Sequence, residues 1–236
     1  MDNIFYSNDI LNLNQEFVLD EQESKHCILV LRLKIGDIIN VVDGVGGFYK
    51  TQIIDDNKKK CSVIVNEVVR EYNKRDFYLH IAVAITKNSS RYEWFVEKAT
   101  EIGVDEITPF YSKNSERNKI NVERLEKVAL SAMKQSKKAY LPKINEPVKL
   151  DTLIKNRTEE SKFIAHCSDI KKTALKDSII KANSVVILIG PEGDFHNNEI
   201  NSAIKNNFIS VDLSKSILRT ETAAMVACNI INVLNS

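Results

Sequence analysis

Cysteine is scarce: Cys27, Cys61, Cys167 and Cys228 are scattered through 236 residues with no CxxC spacing, so neither a zinc site nor a disulfide scaffold is encoded. They read as reduced residues of a core. Histidine is as rare, and His26, His80, His166 and His196 show no metal-ligand spacing, so no metal is expected and packing or surface roles suit most of them. Long apolar runs are missing as well. No segment approaches the length of a membrane-spanning helix, and no basic start followed by an apolar stretch marks a leader, so a soluble, cytoplasmic protein with no membrane partner is expected. There is no excess of one charge either: 33 Lys and Arg against 32 Asp and Glu leave a net charge of +1, which argues against an indiscriminate nucleic-acid binder. Any RNA site must then be a local patch. One candidate is the segment 113–149, where Arg117, Lys119, Arg124, Lys127, Lys134, Lys137, Lys138 and Lys143 outnumber the acids, although on charge alone a solvated helix face explains it better.

What is present is ordinary globular material, 43% hydrophobic, enough for one large domain or two small ones. Residues 1 to about 70 hold short β-branched runs at 16–19, 38–43, 48–55 and 61–70, separated by turn signals such as Gly36-Asp37 and Asp43-Gly44, a spacing that suggests a small barrel. The polar stretch Glu71 to Asp76 reads as a linker. Beyond it, strands alternate with helices, which indicates a mostly parallel α/β sheet. Strands are expected at 78–86, 107–111, 163–167, 185–189 and 208–213, and helices at 90–102, 121–139, 169–182, 199–206 and 222–234. Ser90 to Glu93 has capping-box spacing, Tyr92, Phe95, Val96, Ala99 and Ile102 share a helical face, and Gly103 supplies a stop. Trp94 faces elsewhere and reads as an interface or partly exposed residue. In the last helix Ala223, Ala227, Ile230, Ile231 and Leu234 fall on one face.

Two segments near the C-terminus carry the functional signal. Val185 to Ile189 is an apolar run without alternation, the mark of a strand buried on both faces, and Gly190-Pro-Glu-Gly193 stops it. Ligands in open α/β sheets sit beyond the carboxyl ends of such strands, where glycines let them approach the backbone. The plan repeats at Leu213-Ser-Lys-Ser-Ile-Leu-Arg-Thr-Glu-Thr-Ala-Ala224, a strand end, a short polar loop and an Ala-rich helix. Two such loops can form one pocket.

This pair, with Ala84-Ile-Thr-Lys87, Glu97-Lys-Ala-Thr-Glu-Ile-Gly-Val104, Ile107-Thr-Pro-Phe110, Gln135-Ser136 and the N-terminal His26, Val30-Leu-Arg-Leu33, Gly36-Asp37 and Asp43-Gly44, resembles the RsmE family over essentially the whole chain. Those enzymes methylate N3 of a uridine in the small-subunit 16S RNA, position 1498 in the family, and belong to the knotted SPOUT superfamily. The resemblance implies an N-terminal PUA-like, RNA-binding β-barrel over 1–72. It also implies an α/β SPOUT methyltransferase domain with a trefoil knot over 73–236, which binds S-adenosylmethionine and forms a homodimer. Pattern alone would make the second domain unknotted, since threaded topologies are rare.

Carried over by matching, His166, Ile189, Gly190, Pro191, Glu192 and Gly193 become cofactor-loop residues, with Leu213, Ser214, Ile217 and Leu218 as the opposing wall. Cys167 lies beside them. Arg219 is the expected catalytic residue, a cation for the charge that spreads onto the uracil carbonyls when N3 loses its proton, the competing role being a salt bridge to Glu221 or Glu192. Glu221 is expected to cap the last helix and Glu192 to order the cofactor loop. Arg32, Lys87, Arg91 and Gln135 are the matched RNA-facing positions. Asp194 stands where a second glycine is common, and His196 where Ser or Thr would complete a cap with Glu199, leaving Asn197 as the better cap. A non-catalytic RNA-binding or ribosome-assembly protein, or a SPOUT enzyme acting at another RNA position, remains open on these grounds.

Overall fold

The structure is a computed structural model and describes residues 3–9, 11–115, 119–179 and 181–235; Arg117 lies outside them. The chain forms two units, one of residues 1–74 with 133–141, the other of residues 75–132 with 142–236. Among the described residues no helix is long and apolar enough to cross a membrane.

The first unit contains β1 (Ile4–Tyr6), β2 (Glu16–Val18), a short helix α1 (Glu21–Lys25) that runs into a π-helical turn over His26–Val30, β3 (Ile38–Val42), β4 (Phe48–Asp55) and β5 (Ser62–Val69). The strands make one curled five-stranded sheet in the order β1-β3-β4-β5-β2, antiparallel except for β1 beside β3. Alternation puts Val41, Tyr49, Ile53, Val63 and Val65 on the inner face, where Phe5, Leu11, Cys27 and Cys61 complete the core. The Asp43 carboxylate anchors the β3–β4 turn, accepting the amides of Val45 and Gly47 at 2.9 and 2.8 Å and the Tyr49 hydroxyl at 2.7 Å. Neither β1 nor α1 was expected from sequence. β1 spans three residues, and α1 is a single turn capped by Asp20, whose Oδ1 accepts the Glu23 amide at 2.7 Å.

In the second unit the chain runs β6 (Tyr78–Ala84), α2 (Ser89–Ile102), β7 (Glu106–Tyr111), α3 (Val122–Gln135, its last residues grouping with the first unit), β8 (Lys143–Ile144), β9 (Val148–Lys149), α4 (Leu150–Lys155), β10 (Ser161–Ala165), β11 (Thr173–Ala174), α5 (Leu175–Ser178), β12 (Ser184–Ile189), α6 (Asn197–Lys205), β13 (Ile209–Asp212) and α7 (Thr220–Asn235). The sheet is parallel, ordered β11-β13-β10-β12-β6-β7-β8, with β9 also pairing β7. Its centre is buried on both sides, which explains the apolar runs Ile81–Ala84 of β6 and Val185–Ile189 of β12. Residues of α4 and α6 pack one face around Ala82, Phe110, Ile164, Val186 and Leu188, while α2 and α7 pack together and α7 lies on β6 and β12.

Four local expectations are corrected. The segment 169–182, of which Ile180 lies outside the described residues, is not one helix: Thr173 and Ala174 pair with Val211 and Asp212 as a sheet edge, and only α5 is helical. Tertiary pairing overrides helical propensity there. Helix α3 stops at Gln135 instead of 139 because Lys137 turns left-handed (φ 57°) and the Lys138 amide reaches back to the Met133 carbonyl at 3.0 Å, closing the end with a six-to-one bond. The α2 cap is Asn88, whose Oδ1 accepts both the Ser90 amide (2.9 Å) and the Ser90 hydroxyl (2.7 Å), so Ser90 lies inside the helix. The buried face of α7 is Thr220, Ala224, Ala227, Cys228 and Ile231, with Leu234 exposed. Gly103 does end α2, at φ 133°, a conformation open to glycine.

At the opposite end of the sheet from the carboxyl ends of its strands, the buried His80 ring lies 2.7 Å from Thr108 Oγ1 and 3.1 Å from Glu159 Oε1, with Arg157 and Glu106 beside it. His80 is thus a hydrogen-bonded core histidine.

Candidate functional site

Beyond the carboxyl ends of β10, β12 and β13 a cleft of about 240 Å³ opens, in the position where parallel sheets bind ligands. Residues 165–167 form one side, 189–192 with Asp194 another, and 211–218 with Thr220 and Ala223 the third. The wall is apolar at Ile189, Val211, Leu213, Leu218 and Ala223, with backbone polar groups of the three loops between.

The loop after β12 is held from several sides. The buried Thr220 hydroxyl donates to the Gly190 carbonyl at 3.0 Å, Asn114 Nδ2 donates to the carbonyls of Gly193 and Asp194 at 3.1 and 3.0 Å, and Asp194 Oδ2 accepts the Cys167 amide at 2.9 Å. Phe195 is buried beneath it, stacked on Phe110 at 6.0 Å between centroids. A Cβ at Gly190 would meet the Phe195 ring at 3.0 Å, so the glycine permits that ring to pack as well as leaving the backbone open. Asp194, where a glycine is common in the resembling family, takes φ 58° and bears a strain on the order of 1 kcal/mol.

The helix caps here differ from those expected. Glu192 Oε1 accepts the Lys87 amide at 3.1 Å and so ties the β6–α2 connection to the cleft loop. Helix α6 is capped not by Asn197 but by His196, whose Nδ1 accepts the Asn198 amide at 3.2 Å while Glu199 Oε2 accepts the His196 amide at 2.8 Å. An imidazole acceptor thus replaces the hydroxyl of a usual capping box. Glu221 forms no hydrogen bond to a helix amide among the described residues; its Oε1 lies 3.6 Å from Arg91 Nε and its Oε2 is buried without a partner.

His166 lines the cleft at 6% exposure with neither ring nitrogen hydrogen-bonded among the described residues. Burial, then nearby Lys172, pushes its pKa below the ordinary 6.5, which favours the neutral ring at neutral pH. Lys172, which sequence reasoning missed, is fixed by donating to the carbonyls of His166 (3.1 Å) and Ser168 (2.7 Å). Stability tied to the neutral ring is present above 6.5 and declines as pH falls toward the lower folded value, because the unfolded chain then takes up a proton that the folded one refuses. His166→Gln is expected to flatten this decline in urea titrations between pH 7.5 and about 5.5. Equal slopes in variant and wild type would assign the acid sensitivity elsewhere.

Of the expected cofactor residues, His166, Ile189, Gly190, Pro191, Glu192, Leu213, Ser214, Ile217 and Leu218 line the cleft. Gly193 does not, and Ile217 sits at the rim, 87% exposed. Cys167 is exposed instead of buried, whereas Cys27, Cys61 and Cys228 are core residues. Arg219 is exposed between cleft-lining Leu218 and Thr220, with no ion pair among the described residues. Lys87 and Arg91 flank the cleft through Glu192 and Glu221, while Arg32 and Gln135 are exposed residues of the first unit. In the basic segment, Lys134 pairs with Glu23, and Arg124 Nε lies 3.2 Å from Glu93.

Residues 73–232 match the family described as RNA methyltransferase domain, and residues 19–66 the RNA methyltransferase PUA domain. Several proteins called ribosomal RNA small subunit methyltransferase E are similar to this chain. The one from Buchnera aphidicola subsp. Acyrthosiphon pisum is 32% identical over 94% of this chain and 89% of its own. That from Rickettsia conorii is 30% identical over 99% and 96%. Among solved structures, a probable rRNA-methyltransferase from Porphyromonas gingivalis superposes with a TM-score of 0.91 at 38% identity, covering 99% of this chain and 98% of that one. A Legionella pneumophila methyltransferase in complex with SAM gives 0.89 at 26% identity, covering 99% and 98%. With both its units matched and full-length relatives above 30% identity, the chain belongs to the RNA methyltransferase family of ribosomal RNA small subunit methyltransferase E.

Proposed function

We propose that this protein transfers a methyl group from S-adenosylmethionine to N3 of a uridine in the 16S RNA of the small ribosomal subunit, position 1498 by family correspondence. The observation that carries the reading is the cleft itself, built where the three loops converge in a chain of this family. Its donor set suits the cofactor. Backbone groups of 189–192 and 211–218 and the two unpartnered His166 nitrogens offer partners for adenine and the amino-acid tail, and the apolar wall suits the adenine faces. When bound, S-adenosylmethionine supplies an electrophilic methyl on a sulfonium. A neutral His166 would add no positive charge to the wall that holds it.

Methylation at N3 requires loss of an imide proton, which leaves charge on the flanking carbonyl oxygens. Arg219, exposed at the edge of the cleft, is the residue assigned to stabilise that charge. No general base is assigned. Lys87 and Arg91 are assigned to the RNA backbone beside the cleft, and Arg32 and Gln135 to RNA contacts on the first unit, with residues 1–72 acting as the RNA-binding domain and 73–236 as the knotted catalytic domain. The target base must leave its stack to reach a methyl inside the cleft.

A homodimer in the cytoplasm completes the reading. Trp94 on α2 and Val233 and Leu234 on α7 are exposed apolar side chains on two helices that pack together, which supports contact with a second copy. Light scattering is expected to give twice the 26.8 kDa chain mass.

Incubating the protein with labelled S-adenosylmethionine and unmodified small subunits is expected to place label in the RNA. Cofactor binding without transfer to any RNA would instead favour an assembly role.

A further inference from the structure

Arg91 and Glu221 form a pair that ties the first turn of α2 to the first turn of α7 at the mouth of the cleft. The Glu221 side chain is 9% exposed and lies between Thr220 and Ala223, both in the cleft wall; Arg91 is 38% exposed. The contact is through Arg91 Nε, at 3.6 Å from Oε1, and no hydrogen bond among the described residues uses the two terminal amines of the fork. Four residues earlier, the Lys87 amide is bound by Glu192 of the cleft loop. The segment carrying Lys87 and Arg91 is therefore fastened at both ends by carboxylates whose neighbours line the cleft. The buried Glu221 carboxylate keeps one oxygen without a hydrogen-bond partner; besides the start of α7 on which it sits, Arg91 is its ion-pair partner among the described residues.

We propose that Glu221 is a positioning residue: it orients the Arg91 guanidinium so that its two free amines grip one phosphate of the substrate RNA at the cleft mouth. A guanidinium presents its donors in a fixed fork, so holding Nε sets the direction of the other two, which suits a bidentate grip on a phosphate. The inference rests on the functional reading above. It assigns to Arg91 the backbone of the RNA and leaves the reacting base to Arg219.

The test uses the full-length protein and small ribosomal subunits, with affinity read by filter binding across a salt series, KM and kcat by methyl transfer, cofactor affinity by calorimetry and Tm by circular dichroism. Arg91→Ala is expected to weaken subunit binding about 10-fold or more and to lower the slope of log affinity against log salt by about one, the sign of one lost phosphate contact. Glu221→Gln keeps the shape but loses the charge. It is expected to raise KM about 3- to 10-fold with kcat, cofactor affinity and Tm little changed, and to add nothing when Arg91 is already alanine. Arg91→Lys keeps the charge without the fork, so it is expected to retain the salt slope yet become insensitive to Glu221→Gln. Equal effects of Glu221→Gln in the wild-type and Arg91→Ala backgrounds would overturn the proposal, as would a fall in kcat at constant KM. If Glu221→Gln does not fold, an unchanged salt slope in Arg91→Ala overturns it alone. Failure of the wild type to transfer methyl would instead overturn the functional reading, while the binding series would still report on the pair.

Discussion

Arg219→Ala is expected to lower the rate of methyl transfer by roughly 100- to 1,000-fold while leaving cofactor affinity unchanged, the effect of removing one preorganised charge-stabilising group. The residue is exposed on the loop before α7, between two cleft-lining neighbours. The carboxylates that could have neutralised it are engaged elsewhere: Glu221 faces Arg91, and Glu192 accepts the Lys87 amide. An exposed side chain without a partner adds little to folding, so Tm should stay close to that of the wild type. A selective loss of rate then points to the transition state rather than to stability. Single-turnover transfer at saturating cofactor checks this, and an undiminished rate would remove Arg219 from the chemistry.

Phe195→Ala is expected to have the largest effect on the fold of the site. The ring is 4% exposed, lies in a core cluster of the second unit, stacks on Phe110 and packs against the space left by the missing side chain of Gly190. Truncating a buried phenylalanine costs about 3–5 kcal/mol, which in a protein of this size lowers Tm on the order of 10 °C. The loop of Gly190 to Asp194 rests on that ring, so cofactor affinity should fall with it. Gly190→Ala separates the two effects: the added methyl meets the ring edge and displaces the loop while most of the core survives. Its affinity for S-adenosylmethionine should therefore drop more, relative to its loss of Tm, than that of Phe195→Ala. Equal ratios for the two substitutions would mean that the loop does not depend on this contact.

Much of the second unit was legible because its signals were strong and local. Strands β6, β7 and β12 lie in the buried part of a parallel sheet, so the apolar stretches 81–84 and 185–189 carry no competing pattern, and the Gly-Pro break after Ile189 marks where the cleft begins. Less legible were elements decided by distant partners. Thr173-Ala174 is a strand only because β13 runs beside it, and α3 ends where a lysine accepts a left-handed conformation that sequence associates with glycine. Caps misled for a related reason. Asn88 outcompeted Ser90, the second residue of the helix, and a histidine nitrogen did the work of a hydroxyl at residue 196. At the site, Glu221 read as a cap because it opens a helix, yet its partner Arg91 is 130 positions away, a pairing no local pattern encodes. The roles of Lys172 and Thr220 were hidden likewise, since both act on backbone carbonyls.

The most direct test of the central claim is the identity of the methylated atom. Small subunits lacking the modification would be treated with the protein and S-adenosylmethionine, and the 16S RNA digested to nucleosides for mass spectrometry against standards. The account predicts 3-methyluridine as the product; 2′-O-methyluridine, 5-methyluridine or any other methylated nucleoside in its place would contradict it.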